Sequence, residues 1–140
     1  MHFVSRRRKT RGGAIVETVA GLFVLVPIVL FLVDGIAMVL AQTANDALAK
    51  KCARAAASEK DMGAASSAVS SVISGFSNPV ITNVNANVTN FDDPTTNVNA
   101  TCTVQTQITF VFPVQVPFVG VTSQIFVADA TEPVVGDLPP

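Results

Sequence analysis

A chain of 140 residues has room for one domain, and its apolar share of 49%, with nine Phe and neither Trp nor Tyr, rests on Ala, Val, Leu and Ile. That composition suits a membrane helix and thin strands better than a thick globular core. The net charge of −1 is unevenly spread, since Arg6, Arg7, Arg8, Lys9 and Arg11 open the chain and no Lys or Arg follows Lys60; with no basic face or aromatic platform beyond that leader, nucleic acid is excluded as a partner.

Residues 1–12 form the basic leader, which the positive-inside rule places in the cytoplasm. Thr18 to Val33, TVAGLFVLVPIVLFLV, is an uncharged apolar run. Its sixteen residues reach roughly 24 Å at 1.5 Å each, short of a hydrocarbon core of about 30 Å. Continuing past Asp34 to Ala41 completes a transmembrane segment at about 18–41. Asp34 is then an interfacial acid that reaches water, and Pro27 is a kink that membrane helices tolerate.

The helical signal continues to residue 57, so one helix over 13–57 is predicted, half in the membrane and half projecting from it. In that second half Ile36, Leu40, Thr43, Ala44, Ala47 and Leu48 share a face, and Asp46 and Lys50 form an i,i+4 pair. Its small residues let other helices approach closely. Ser58, with Asp61 three residues on, offers a cap for a second helix over 59–74. Val69, Val72 and Ile73 face inward there, and Gly75 stops it.

After Asn78 the period changes to two. Val80, Val84, Ala86 and Val88 alternate with Asn83, Asn85 and Asn87. FDDPT, centred on Pro94, is a turn. Val98, Ala100, Cys102, Val104, Ile108, Phe110 and Phe112 then share one strand face, opposite Asn99, Thr101, Thr103, Gln105, Gln107 and Thr109. A Pro-rich apolar loop leads to a third strand over 121–131 and a loose tail, EPVVGDLPP. The predicted fold class is α+β: a long N-terminal helix, a short second helix and a three-stranded antiparallel sheet, one face covered by the helix. Residues 58–140 form the extracytoplasmic domain. The loop over 111–121 is either a partner patch or packing beneath the helix.

Cys52 on the helix and Cys102 on the apolar strand face are placed to form one disulfide or to remain two buried thiols. Two cysteines cannot build a four-ligand zinc site. The only histidine, His2, lies in the leader, and no nucleophile–base pair or phosphate loop is visible. Neither catalysis, a metal, a cofactor nor a small-molecule substrate is expected. Asn87-Val88-Thr89 and Asn99-Ala100-Thr101 match the glycosylation sequon.

The membrane entrance carries the most information: Arg11-Gly12-Gly13-Ala14-Ile15-Val16-Glu17. A cut after Gly12 makes Glu17 the fifth residue of the mature chain. A carboxylate beside a membrane segment is costly unless paired, and a new amine at Gly13 supplies a positive charge. The helix holds the two apart within one chain, whereas staggered neighbours bring them together.

This arrangement resembles the cleavage site of type IV prepilins. Residues 6–57 are similar to TadE/TadF-like pseudopilins of the tight-adherence (Flp pilus) system, through RRRKTRGGAIVE, LFVLVPIVLFLVDG and QTANDALAKKCARAAA. The resemblance implies a minor pilin or assembly factor of the bacterial inner membrane, with its N-terminus in the cytoplasm and its C-terminus outside. It implies a prepilin peptidase, other pilin-like subunits and Tad assembly proteins as partners, beside the lipid bilayer itself. Gly12 then precedes the cut, Gly13 becomes the N-terminus and Glu17 is the recognition and packing acid. Thr18 departs from the family, where Phe or Tyr is common, and a cut after Gly13 would leave the acid at position four. Two other readings stay open: an uncleaved signal anchor with an adhesive β domain, and a secreted domain cut after Ala41.

Overall fold

The computed structural model describes residues 11–114, 120 and 122–135. The leader up to residue 10, the centre of the Pro-rich loop and the last five residues lie outside that range. Helix α1 (Arg11–Ala57) runs for 47 residues with Pro27 inside it, a rod of about 70 Å. Its start is two residues before the expected one and its end is the expected one.

The first half of α1 has no covered face, every side chain from Gly13 to Val29 being exposed. A buried stripe begins at Asp34 and continues through Ala41, Asn45, Leu48, Cys52 and Ala56, with Ala37, Met38 and Ala44 half-buried along it. It widens at Ala49, Ala53 and Ala57, where the second helix packs against another side of α1. This stripe is rotated from the expected face: Ile36, Leu40, Thr43 and Ala47 point outward, and only Ala44 and Leu48 are shared. Small residues line the covered side because rings fill the gap. Phe110 is fully buried, stands edge-on to Phe112 at 5.1 Å and lies 6.1 Å from Phe126. No ion pair joins Asp46 to Lys50; Arg54 instead pairs with Glu132 at 3.2 Å.

Helix α2 (Met62–Ser74) begins later than residue 59 because Asp61, not Ser58, caps it. Asp61 has extended backbone, and its carboxylate accepts the Ala64 N–H at 2.8 Å, the third N–H of the helix. Ser58 Oγ instead donates back to Ala55 O at 2.8 Å. Val69 is buried, Val72 and Ile73 partly so, and Gly75 closes the helix as expected.

Strands β1 (Ile81–Phe91), β2 (Thr101–Val111) and β3 (Ser123–Pro133) form an antiparallel sheet in that spatial order. Strand β1 carries two register shifts, between Ile81 and Asn83 and between Val88 and Asn90. Each inserts one residue, so Ile81 and Val84 both face inward, as do Val88 and Phe91, although their parities differ. The Asn face is exposed as expected. Val98 is a correction: it is fully exposed, because the turn after β1 ends only at Ala100. In that turn Asp93 Oδ1 accepts from Thr95 N at 2.8 Å.

Strand β2 descends along α1 as the helix rises. Cys102 and Val104 share a core cluster with Leu48 and Cys52, and Ile108 and Phe110 share one with Ala41. The tail is less loose than expected. Glu132 and Pro133 belong to β3, Val134 N donates to Ala100 O at 2.9 Å, and Val135 N donates to Ala57 O at 3.0 Å.

Candidate functional site

The site follows α1 from its entry to the sheet. The Gly12–Gly13 bond lies in the first turn. Glu17 follows one turn on, exposed and without an ion pair among the described residues. Thr18 donates its hydroxyl to Ala14 O at 2.8 Å, which satisfies the polar atom within the helix. From Ile15 to Val33 large apolar side chains point outward on all sides, as on a helix dissolved in lipid.

Where the sheet begins to cover the helix, two features meet. On the open side, Phe31, Leu32, Gly35, Ile36, Val39 and Leu40 line a shallow apolar hollow of about 340 Å³. On the covered side, Asp34 is 5% exposed, and its Oδ1 accepts the Val114 N–H at 3.2 Å. This differs from the expected acid reaching open water. The start of the β2–β3 connection, just past Val111, gives the carboxylate a donor in place of solvent.

One turn past the apolar stretch, Asn45 and Thr106 are both fully buried. Thr106 Oγ1 donates to Asn45 Oδ1 at 2.9 Å, and Asn45 Nδ2 has no partner among the described residues. Sequence reasoning missed this pair. The available signal was Thr106 at an inward-facing position between Val104 and Ile108.

Cys52 and Cys102 are free thiols, wholly buried and in the same core cluster. Burial pushes both thiols up from their ordinary range, and the negative charge of Asp92 adds to the effect at Cys102. At the far end of the sheet, hydrogen bonds from the Thr101 N–H and hydroxyl and from the Asn90 amide hold the Asp92 carboxyl below the usual range. Thr95 does the same for Asp93. Among the described residues, no group of three or more His, Cys, Asp or Glu side chains is arranged to hold a metal. The structure therefore brings Asp34 to the sheet and the two cysteines into one core, while Gly12, Gly13 and Glu17 remain on the uncovered helix.

The fold defines an α+β protein with one apolar N-terminal helix long and apolar enough to cross a membrane. No family model, curated protein or solved structure matches the chain.

Proposed function

We propose that this protein is a TadE-like pseudopilin that takes part in Flp/Tad pilus assembly. It inserts in the bacterial inner membrane with its N-terminus in the cytoplasm, and a prepilin peptidase cuts it after Gly12. Its uncovered helix packs against other pilin-like helices, and Glu17 sets their stagger by pairing with a neighbour's new amine. The observation that carries this reading is the continuity of α1. A single helix runs from the glycine–acid entrance, uncovered through its first half, into the sheet-covered second half. A subunit built this way can exchange lipid for neighbouring helices without refolding its head.

The test is the mass of the mature membrane-bound chain, with and without a prepilin peptidase. A start at Gly13 that depends on the peptidase supports the reading, and a start at Met1 overturns it.

One observation favours the uncleaved signal anchor as a second reading. The Gly12–Gly13 bond is helical, and a protease needs it open. Two adjacent glycines each weaken a helix by about 1 kcal/mol, so unwinding this first turn is a small step, and the first reading stands.

A further inference from the structure

We infer that the β3 side of the sheet's lower end lies within the headgroup layer of the leaflet opposite the leader, with phospholipid as its neighbour. This rests on α1 being a membrane anchor and goes beyond it, because an anchor alone leaves the head free to stand clear of the bilayer.

Three observations converge on it. On the open side of α1, Ile36, Val39 and Leu40 are each 64% exposed. The first polar side chain there is Gln42, followed by Thr43, Asp46, Lys50 and Lys51. The lipid boundary on that side therefore falls at Gln42. The head already covers the other side from Asp34 upward, first through Val114 and from Ala37 on through the sheet. Seven residues separate Asp34 from Ala41, or roughly 10 Å of helix, against about 5–8 Å for one headgroup layer. A head docked at Asp34 cannot avoid that layer if the open side is in lipid up to Leu40.

The outer face of the sheet has a matching gradient. Ile125 and Val127, paired with Thr109 and Gln107 near the lower end, are 56% and 55% exposed. Farther up the same face the pairs are Gln105 with Asp129 and Thr103 with Thr131, both hydrogen-bonded. On β1 the lower outer positions are Asn83 and Asn85, so the β3 side is the one suited to lipid. The mixture of Ile and Val with Thr and Gln fits the interface, not the hydrocarbon core.

The third observation is Asp34 itself. A carboxylate and a loop N–H at membrane depth both lack water and need internal partners. The Val114 N–H finds its partner in Asp34 Oδ1, which gains one internal donor in return.

The chain has no Trp, so single-Trp variants at exposed positions report depth directly. The full chain carrying Phe23→Trp, Ile36→Trp, Ile125→Trp or Val98→Trp is reconstituted in phosphatidylcholine vesicles. Some vesicles carry bromines near the headgroup end of the acyl chains. The expected result is at least twofold quenching at 23, 36 and 125 and none at 98. Quenching at 23 and 36 without quenching at 125 overturns the inference and leaves the anchor intact. No quenching at 23 removes both. Quenching at 36 and 125 that disappears as protein-to-lipid ratio rises assigns the face to a second copy and also overturns it.

Discussion

Thr106 Oγ1 lies 2.9 Å from Asn45 Oδ1, a polar contact between β2 and α1 in which both side chains are fully buried. Ile108 and Val104 flank Thr106 on the same face and need only apolar surroundings. The polar pair needs one particular register. A slip of β2 by one residue turns Thr106 outward and leaves the Asn45 amide buried alone. The pair thus fixes where the sheet sits along the helix, and with it the level at which the head meets Asp34. A hydroxyl carries one proton, and Ala128 O also lies 3.3 Å from Thr106 Oγ1. Turning the Asn45 amide over would let its N–H meet Thr106 Oγ1 and free the hydroxyl proton for Ala128 O.

Thr106→Val keeps the shape and removes every hydrogen bond of that hydroxyl. The stranded Asn45 amide makes the expected loss about 1–3 kcal/mol. Asn45→Leu combined with Thr106→Val is expected to cost less than the sum of the single changes, because no buried polar group is left unpaired. Thermal unfolding of the full chain in micelles measures the cycle. Simple additivity would remove the coupling.

Asp34→Ala takes the acceptor from Val114 N, whereas Asp34→Asn retains an acceptor oxygen. Backbone hydrogen exchange over residues 112–114 is expected to rise by at least about tenfold in Asp34→Ala, as for an opening cheapened by about 1.4 kcal/mol. It is expected to stay near the wild-type rate in Asp34→Asn. Equal protection in all three proteins would mean that the contact does not hold the loop.

Much of this architecture was legible in the sequence. The change of period after Asn78 announced the sheet, and the unbroken Ala-rich run announced a helix to Ala57. What period cannot supply is which face finds a partner. Ile36 and Leu40 are apolar enough for a core, yet they face outward, because bilayer and core reward the same side chains. The shifts in β1 were hidden because Val80, Val84 and Val88 alternate cleanly without them. The glycine–acid sequence is local, all within the first turns of α1. The partner of Asp34 is not, since Val114 is 80 residues away and only the finished sheet brings it there.

Asp92 makes part of the head's stability pH-dependent. Its folded carboxyl is held low by Thr101 and Asn90, so it binds its proton less readily than in the unfolded chain. The contribution is complete above the unfolded value of about 3.9 and is lost as pH falls through the lower folded one. Asp92→Ala is expected to lower the unfolding midpoint at pH 7, and the gap to wild type is expected to narrow below about pH 4. A gap that stays constant with pH would assign the effect to turn geometry alone.

The thiols should behave as core groups. Both are raised by burial, so the neutral thiol is favoured in the fold. That contribution is fully present below the unfolded thiol value and is lost as pH rises through the folded one. At pH 8 a thiol reagent is expected to modify the native chain roughly tenfold or more slowly than the denatured chain. Denaturation without reductant is expected to release two reactive thiols. None released would establish the Cys52–Cys102 disulfide instead.

Glu17 separates the filament mechanism from simple anchoring. Under the proposed cleavage, the Glu17 carboxylate would have two sources of compensation: the arginines of its own leader, or the freed amine of a neighbouring chain. The first acts before cleavage and concerns insertion; the second exists only after it and concerns assembly. Glu17→Gln keeps the size and removes the charge. Under the pairing mechanism the amount of chain in the membrane fraction stays the same. Surface filaments, sheared and quantified, fall by at least about tenfold, the equivalent of ~1.4 kcal/mol of lost pairing. Unchanged filament output with altered insertion would place the charge in the leader's service and leave α1 an anchor only.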